Sequence, residues 1–491
     1  MPAAHETAAA SDLAPDWLTC PQDVNRLDAK LWARDVSRGA AGELEISGIG
    51  VTRLKEQFGT PLFVVSEDDF RARAREFKQA FDEAFSTLCG GVDVYYAGKA
   101  FLSVEIARWV AQEGLRLDTC SGGELAVAAR AGIPGEDLGL HGNNKSDAEL
   151  HRALDMGLGR IVVDSLDELA RLGAIAATRG EMANVMLRLT PGVHAHTHEF
   201  IATAHEDQKF GLSMAGADDG TGHHDGAQPR PAGSPAAQAV AAALEHESIN
   251  LLGLHCHIGS QIFEPEGFAL AAERLLTFVA EVKRVHGVDL HELDLGGGYG
   301  IAYTEADSPR PPAELAQAMA AVVRSVTQRL GIPVPRISIE PGRAIAGPST
   351  FTLYSAGTRK TVQVDTEGGG SSPRRYVSVD GGMSDNARPV LYDADYSAAL
   401  ASRVTDAAPI ISRVVGKHCE SGDIVVRNVY LPEDIEAGDL LAVPATGAYC
   451  WALSSNYNYV ARPPVVAVRG GEARLIIRGE TEADLLARDL G

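Results

Sequence analysis

Residues 93–131 read DVYYAGKAFLSVEIARWVAQEGLRLDTCSGGELAVAARA. A short β-prone run, Asp93–Ala97, ends in small and polar residues. A stretch with helical spacing follows (Leu102–Glu113), then a second run (Leu115–Asp118) and a second helical stretch (Gly123–Ala131). Strands alternating with helices indicate parallel pairing through crossover connections. The alternation continues outward. Further runs lie at Leu138–His141, Arg160–Asp164, Val185–Thr190, Leu251–His257, Glu292–Leu295 and Arg336–Glu340. Helical stretches at Asp147–Met156, Leu166–Thr178, Phe268–His286 and Ala313–Leu330 separate most of them. Eight units of this kind predict a closed, TIM-like (β/α)8 barrel. An open doubly wound sheet is the alternative, but no GxGxxG opens its first helix.

The barrel is expected over residues 66–346, with an inserted surface loop at 215–236. That loop is rich in Gly, Ala, Pro, Asp and His, a composition that cannot bury a core. After Gly347 the texture becomes β-type, with runs at Thr350–Tyr354, Arg375–Val379, Ile424–Tyr430, Leu440–Val443 and Val465–Val468. Residues 347–491 are therefore expected to form a second, mostly β domain. Leu44–Val51 and Thr60–Val65, in the N-terminal segment 1–65, have the same character and are expected to pair with it.

Composition narrows the class. The chain has 491 residues, 45% hydrophobic and 22% charged, with a net charge of −22. That balance is ordinary for a globular protein and disfavours nucleic acid or an anionic membrane as partner. No run approaches the length of a membrane span, and no signal peptide is legible, so a cytoplasmic protein is expected. Six scattered cysteines without a CxxC pair give neither a zinc framework nor a disulfide scaffold.

In a barrel, chemistry gathers where the strands end. Lys99 follows the first run. It reads either as a desolvated nucleophile towards carbonyls or as a surface lysine in a turn. Gly296, Gly297 and Gly298 follow the seventh run and offer bare N–H groups that suit a phosphate. Arg343, just past the eighth run, adds a charge for the same group. Glu340 closes the eighth run as a general base, a metal ligand, the partner of a ring nitrogen or a salt-bridge partner of Arg343. One cofactor suits Lys99, the glycines and Glu340 together: pyridoxal 5'-phosphate, with its aldehyde, phosphate and ring nitrogen. His257 reads as a flat face against that ring or as a core histidine.

The motifs YYAGKA, DTCSGGEL, HGNNK, HCHIGSQ, LGGGYG, EPGR, DGGMSDNARPVLY, CESGD and TGAYCWALSSNYN stand in this order between Pro61 and Asp489. Together they resemble the fold-type III pyridoxal-phosphate decarboxylases, the alanine racemase-like group, and within it the branch acting on meso-2,6-diaminopimelate. The resemblance implies that Lys99 holds the cofactor as a Schiff base. His257 stacks on the ring, Glu340 meets the ring nitrogen, and Arg188 and Asp118 lie near the ring's phenolic oxygen. Ser260, Gly298 and Arg343 surround the phosphate, with Gly296, Gly297, Pro341 and Gly342 completing the cradle. Tyr449 reaches both cofactor and substrate.

The resemblance also implies a homodimer with shared active sites. Cys419 then protonates the alpha carbon from the partner subunit, and Glu420 follows it. A buried, inert thiol is the other reading of Cys419. Lys417-His418 stands before it where relatives often have Gly-Pro, which affects the expected loop conformation. Arg388, Tyr392 and Glu420, with Arg343 and Tyr449, are implied to bind the substrate. An arginine grips a distal carboxylate that ornithine, arginine and lysine lack. The expected reaction is therefore meso-diaminopimelate to L-lysine and carbon dioxide, the last step of lysine biosynthesis. Decarboxylation of another basic amino acid is the alternative. A metal-dependent hydrolase using His255, His257 and His194–His198 is a rival that leaves GGG, EPGR and Cys419 without a purpose. A non-catalytic cofactor carrier or inactive relative is a second rival. It would be expected to lack the β domain, Lys99 or Cys419.

Overall fold

Eight parallel strands close on themselves. They are β1 (Val92–Ala97), β2 (Arg116–Thr119), β3 (Leu138–Leu140), β4 (Arg160–Val163), β5 (Ala183–Thr190), β6 (Ile249–His255), β7 (Glu292–Asp294) and β8 (Arg336–Ile339). Each pairs with the next, and β8 pairs back to β1, through Ile337↔Val92 to Ile339↔Val94. The computed structural model describes residues 11–192, 208–215, 233–366 and 369–491. Every strand lies within two residues of the run expected for it. The reason is physical: strands covered by helices on one side and filled on the other read as unbroken apolar runs.

Five of the βα connections end in serine. Ser103, Ser121, Ser146, Ser165 and Ser234 each accept a backbone N–H in the first turn of the following helix. Such side chains satisfy the orphan donors of a helix start. Gly132, Gly180, Gly287 and Gly331 close four helices in the left-handed conformation.

Close packing divides the chain into two units. One holds Arg73–Gly300 and Pro309–Gly342, the barrel. The other holds the residues up to Ala72, Ile301–Ser308 and Arg343–Gly491. In the second unit, Thr350–Asp365 is the spine of a sheet, antiparallel to Ser371–Val379, Leu62–Ser66 and Leu440–Pro444. Val465–Arg469 runs parallel to Leu62–Ser66 on its other side. The N-terminal run at Leu44 forms a small sheet with Val36–Arg38 and Ile49–Gly50, and the Leu44 amide donates to Ala401 O at 2.7 Å. Trp32, Leu44, Leu62, Phe351, Leu353 and Val466 share one core there.

The structure adds elements that the sequence pattern did not disclose. Helix Glu67–Cys89 precedes β1 and buries Phe70, Ala74, Phe77, Phe81 and Phe85, a helical stripe. Phe77, Phe81 and Phe268 all pack on the Tyr299 ring. The inserted loop ends earlier than expected, because helix Pro235–Glu245 begins at its Ser234 cap. Residues 216–232, with His223 and His224, lie outside the described residues, as do His194–His198. Pro409–Val415 and Glu472–Ile477 are further strands of the second unit. No helix among the described residues is long and apolar enough to cross a membrane.

Candidate active site

The barrel unit gathers polar groups where its strands end. Lys99 sits in the turn after β1, and its side chain is exposed. The chain turns at Gly98–Lys99, directly after the buried strand. After burial, the Lys99 charge is the next largest cause holding the His257 pKa down.

Glu340 follows β8 and is buried. Its Oε1 lies 2.9 Å from His255 Nε2, in a hydrogen bond, and 3.5 Å from His141 Nε2. Burial pushes the Glu340 carboxyl above the usual range, while His141 and Arg160 pull it down. Asp118, in β2, is buried beside His141 Nε2 at 3.0 Å, without the alignment of a hydrogen bond. Burial pushes its carboxyl up to about 7. The histidines go the other way. Burial takes His141 down to about 4 and holds His255 and His257 well below the usual imidazole range. At neutral pH all three are neutral rings.

His257 keeps part of its surface open, and its Nδ1 accepts the Gly297 N–H at 3.2 Å. His255 and His257 thus serve different neighbours. The Gly296–Gly298 loop threads between the ends of β6 and β8. Gly296 has φ 71, and a Cβ on Gly297 would collide with the Glu340 carbonyl oxygen. Pro341 O accepts the Ala97 N–H at 3.3 Å, and Gly342 lies against Ala97 and Ala100. Arg188, in β5, is buried 3.8 Å from Asp164 with its guanidinium 4.4 Å from the Phe210 ring centre. Ser260 is half-buried in the loop after β6.

Strand-end reading missed the residues beneath this rim. Arg160, the first residue of β4, is 1% exposed. It lies 2.6 Å from Asp294, donates to Ser338 Oγ at 2.8 Å, and reaches Asp118 at 3.5 Å and Glu340 at 4.0 Å. Asp294 and Ser338 had no assigned role in the sequence reading either. The only signal available was an arginine in an otherwise apolar run.

The second unit holds its own cluster. Arg343 is buried, donates to the Tyr303 hydroxyl and stands 4.7 Å from the Tyr449 ring centre. Tyr449 has φ 65, a costly conformation for a side-chain-bearing residue. Arg388 is buried, donates to Tyr396 OH at 2.7 Å and lies 4.7 Å over Tyr303. Tyr392 is 39% exposed. Cys419 and Glu420 are exposed, so the buried-thiol reading of Cys419 is overturned. The Cys419 amide donates to Asn458 Oδ1 at 3.2 Å. The preceding His418 is buried against Tyr457, and its amide donates to Asp423 at 2.7 Å. Lys417-His418 thus gives a loop pinned by a carboxylate.

The donor set of the barrel unit fits pyridoxal phosphate: an accessible amine, a buried carboxylate, a neutral imidazole and a loop too tight for side chains. Comparison with known proteins agrees. Residues 67–347 match the family model described as pyridoxal-dependent decarboxylase, pyridoxal binding domain. The chain is 51% identical to a diaminopimelate decarboxylase of Mycobacterium tuberculosis over 94% of its length and 98% of that protein. A diaminopimelate decarboxylase of Bacillus subtilis is 43% identical, covering 91% of this chain and 95% of its own. A crystal structure of diaminopimelate decarboxylase from M. jannaschii with L-lysine superposes with TM-score 0.83 at 30% identity, over 94% of this chain and 99% of that one.

Proposed function

The chain belongs to the pyridoxal-dependent decarboxylase family, and from that premise we propose that it converts meso-2,6-diaminopimelate to L-lysine and carbon dioxide. The observation that carries this reading is the 51% identity to diaminopimelate decarboxylases over nearly the whole of both chains. Arg388 supports it from this chain's own residues. A buried guanidinium held by Tyr396 is preset to pair with a distal carboxylate, and ornithine, arginine and lysine have none to offer.

Bound pyridoxal phosphate supplies an electron sink for the pair left when the carboxylate departs. The chain's residues do the rest. The Lys99 amine would hold the cofactor through its aldehyde group. Gly296–Gly298, Ser260 and Arg343 take the phosphate, with Pro341 and Gly342 fixing the turn that presents Arg343. Glu340, as an anion, keeps the ring nitrogen protonated. His257, neutral, lies against the ring without adding charge. Asp118 and Arg188 orient the ring's other edge. Cys419 delivers a proton to the alpha carbon after carbon dioxide leaves. Glu420 takes the distal ammonium, while Arg388, Tyr392 and Tyr449 take the distal carboxylate.

The working unit is a homodimer in which Cys419 and Glu420 enter the partner's site. Exposed Val390, Leu391, Tyr392, Tyr457 and Tyr459, on the unit that bears Cys419, are apolar surface for such an interface. A cytoplasmic setting accords with six free cysteines.

Carbon dioxide release from diaminopimelate, ornithine, arginine and lysine in parallel tests the reading. Diaminopimelate is expected to exceed the others on the order of a thousandfold, because a site built for a polar group rejects analogues lacking it. Comparable rates from ornithine or arginine would replace the proposed substrate with that amino acid.

A further inference from the structure

We propose that Arg160 is a positioning residue for the decarboxylation: from inside the barrel its charge favours the ionised form of the Glu340 carboxylate, the acid that faces the cofactor ring. This rests on the reading that Glu340 partners the ring nitrogen.

The geometry is that of one cation serving three acids. Asp118 comes from β2, Asp294 from β7 and Glu340 from the end of β8. All three are buried, and the Arg160 guanidinium lies 3.5, 2.6 and 4.0 Å from them. Ser338 donates to Asp294 at 2.6 Å and accepts from Arg160, fixing the fork in place. The flat face of the guanidinium rests on the Tyr95 ring, 3.4 Å from its centre. Such a fork is preorganised where a flexible lysine is not.

His141 and Lys99 also lower the Glu340 carboxyl and Arg188 interacts with it, but none of them is both charged at neutral pH and reserved for the Asp118, Asp294 and Glu340 cluster. His141 and His255 are neutral, as their burial requires. Asp118 and Asp294 are acids. Arg188 is shared with Asp164, and Lys99, on the proposed reading, is committed to the cofactor. Burial raises the Glu340 carboxyl and so favours its neutral form. Gly139 gives an independent sign that the arrangement is built in. It sits in register between Asp118 and Arg160, and a Cβ there would collide with Asp118 Oδ1 and approach Arg160 Nε to 3.3 Å.

The test compares wild-type holoenzyme with Arg160→Met and Arg160→Lys, each also in a Glu340→Gln background. A protonated Glu340 cannot hold the ring-nitrogen proton as an anion does, and loss of Arg160 raises its pKa. Activity must then fail at higher pH on acidification. For Arg160→Met the acid limb of kcat is expected to rise by about one pH unit, the usual size of an arginine's effect on a neighbouring carboxyl. kcat at pH 7 should fall about tenfold while KM stays within about threefold, the signature of a group acting on the reaction rather than on binding. Arg160→Lys should restore the limb. In the Glu340→Gln background the Arg160 substitutions should add no further shift. The cofactor-free protein gives a second readout: the Glu340 carboxyl carbon resonance, identified by its loss in Glu340→Gln, should titrate at higher pH in Arg160→Met. Should Arg160→Met not fold, Arg160→Gln against Arg160→Lys makes the same comparison. An unmoved acid limb and an unmoved Glu340 titration in a folded variant would overturn the proposal. A wild-type enzyme inert towards diaminopimelate would instead overturn the function, leaving the cofactor-free titration to decide on Arg160.

Discussion

At position 388 stands the side chain proposed to choose the substrate. Its guanidinium is buried, donates to Tyr396 OH and lies over the Tyr303 ring. Tyr396 OH is in turn 3.4 Å from Cys450 Sγ. A cation fixed in this way loses little freedom on pairing with a carboxylate. Arg388→Lys retains the charge but not the planar fork. It is expected to raise KM for diaminopimelate by about tenfold to a hundredfold, the worth of one charge-assisted bond or more. kcat should change less, because the distal carboxylate is far from the bond that breaks. Steady-state kinetics on the folded variant check this, and an unchanged KM would remove Arg388 from the substrate site.

Elements were legible in proportion to how local their signals are. The eight barrel strands could be read because buried parallel strands are apolar throughout and end at polar rims. Helix Glu67–Cys89 carried an equally local stripe, Phe70 to Phe85, and was overlooked because the strand-like residues before it drew the boundary at 65. Pro409–Val415 and Glu472–Ile477 are different. Each is only partly buried, and its pairing is set by distant chain segments. At the site, Asp118, His257, Glu340 and the glycines were legible from their places after strands. Arg160 and Asp294 were not, since their roles depend on contacts across the barrel rather than on neighbours in sequence. The Gly296–Gly298 loop is where element geometry is least forgiving. Gly297→Ala places a methyl against the Glu340 carbonyl oxygen, which belongs to backbone and cannot swing away. The expected cost is about 1–3 kcal/mol of stability, as for other overpacked positions. Weaker retention of pyridoxal phosphate should accompany it, because Glu340 moves with its own carbonyl. Gly357→Ala, whose new methyl would meet Ser378 O at 3.6 Å, is the control and should be near neutral. Thermal melting and cofactor titration of both variants check the contrast.

For the whole molecule, the proposed roles fall on different units of the chain. Lys99 belongs to the barrel unit and Cys419 to the other, and Cys419 and Glu420 are exposed in one copy of the chain. An exposed thiol can act as an acid on a carbon intermediate only where water is kept from competing for that carbon. A second copy that covers Cys419 while offering its own Lys99 would provide that exclusion. An isologous pair does so twice, by symmetry. This arrangement has a numerical consequence. Lys99→Ala and Cys419→Ala homodimers should each be nearly inactive. In a heterodimer of the two, one site receives Lys99 and Cys419 intact while the other lacks both. Random reassortment makes half the dimers heterodimers with one working site in two, so activity should recover to about a quarter of wild type. Mixing the two variants under conditions that exchange subunits, with differently tagged chains to count the heterodimers, measures it. Activity that stays at the level of the separate variants, despite heterodimers being present, would place Lys99 and Cys419 of one site on the same chain.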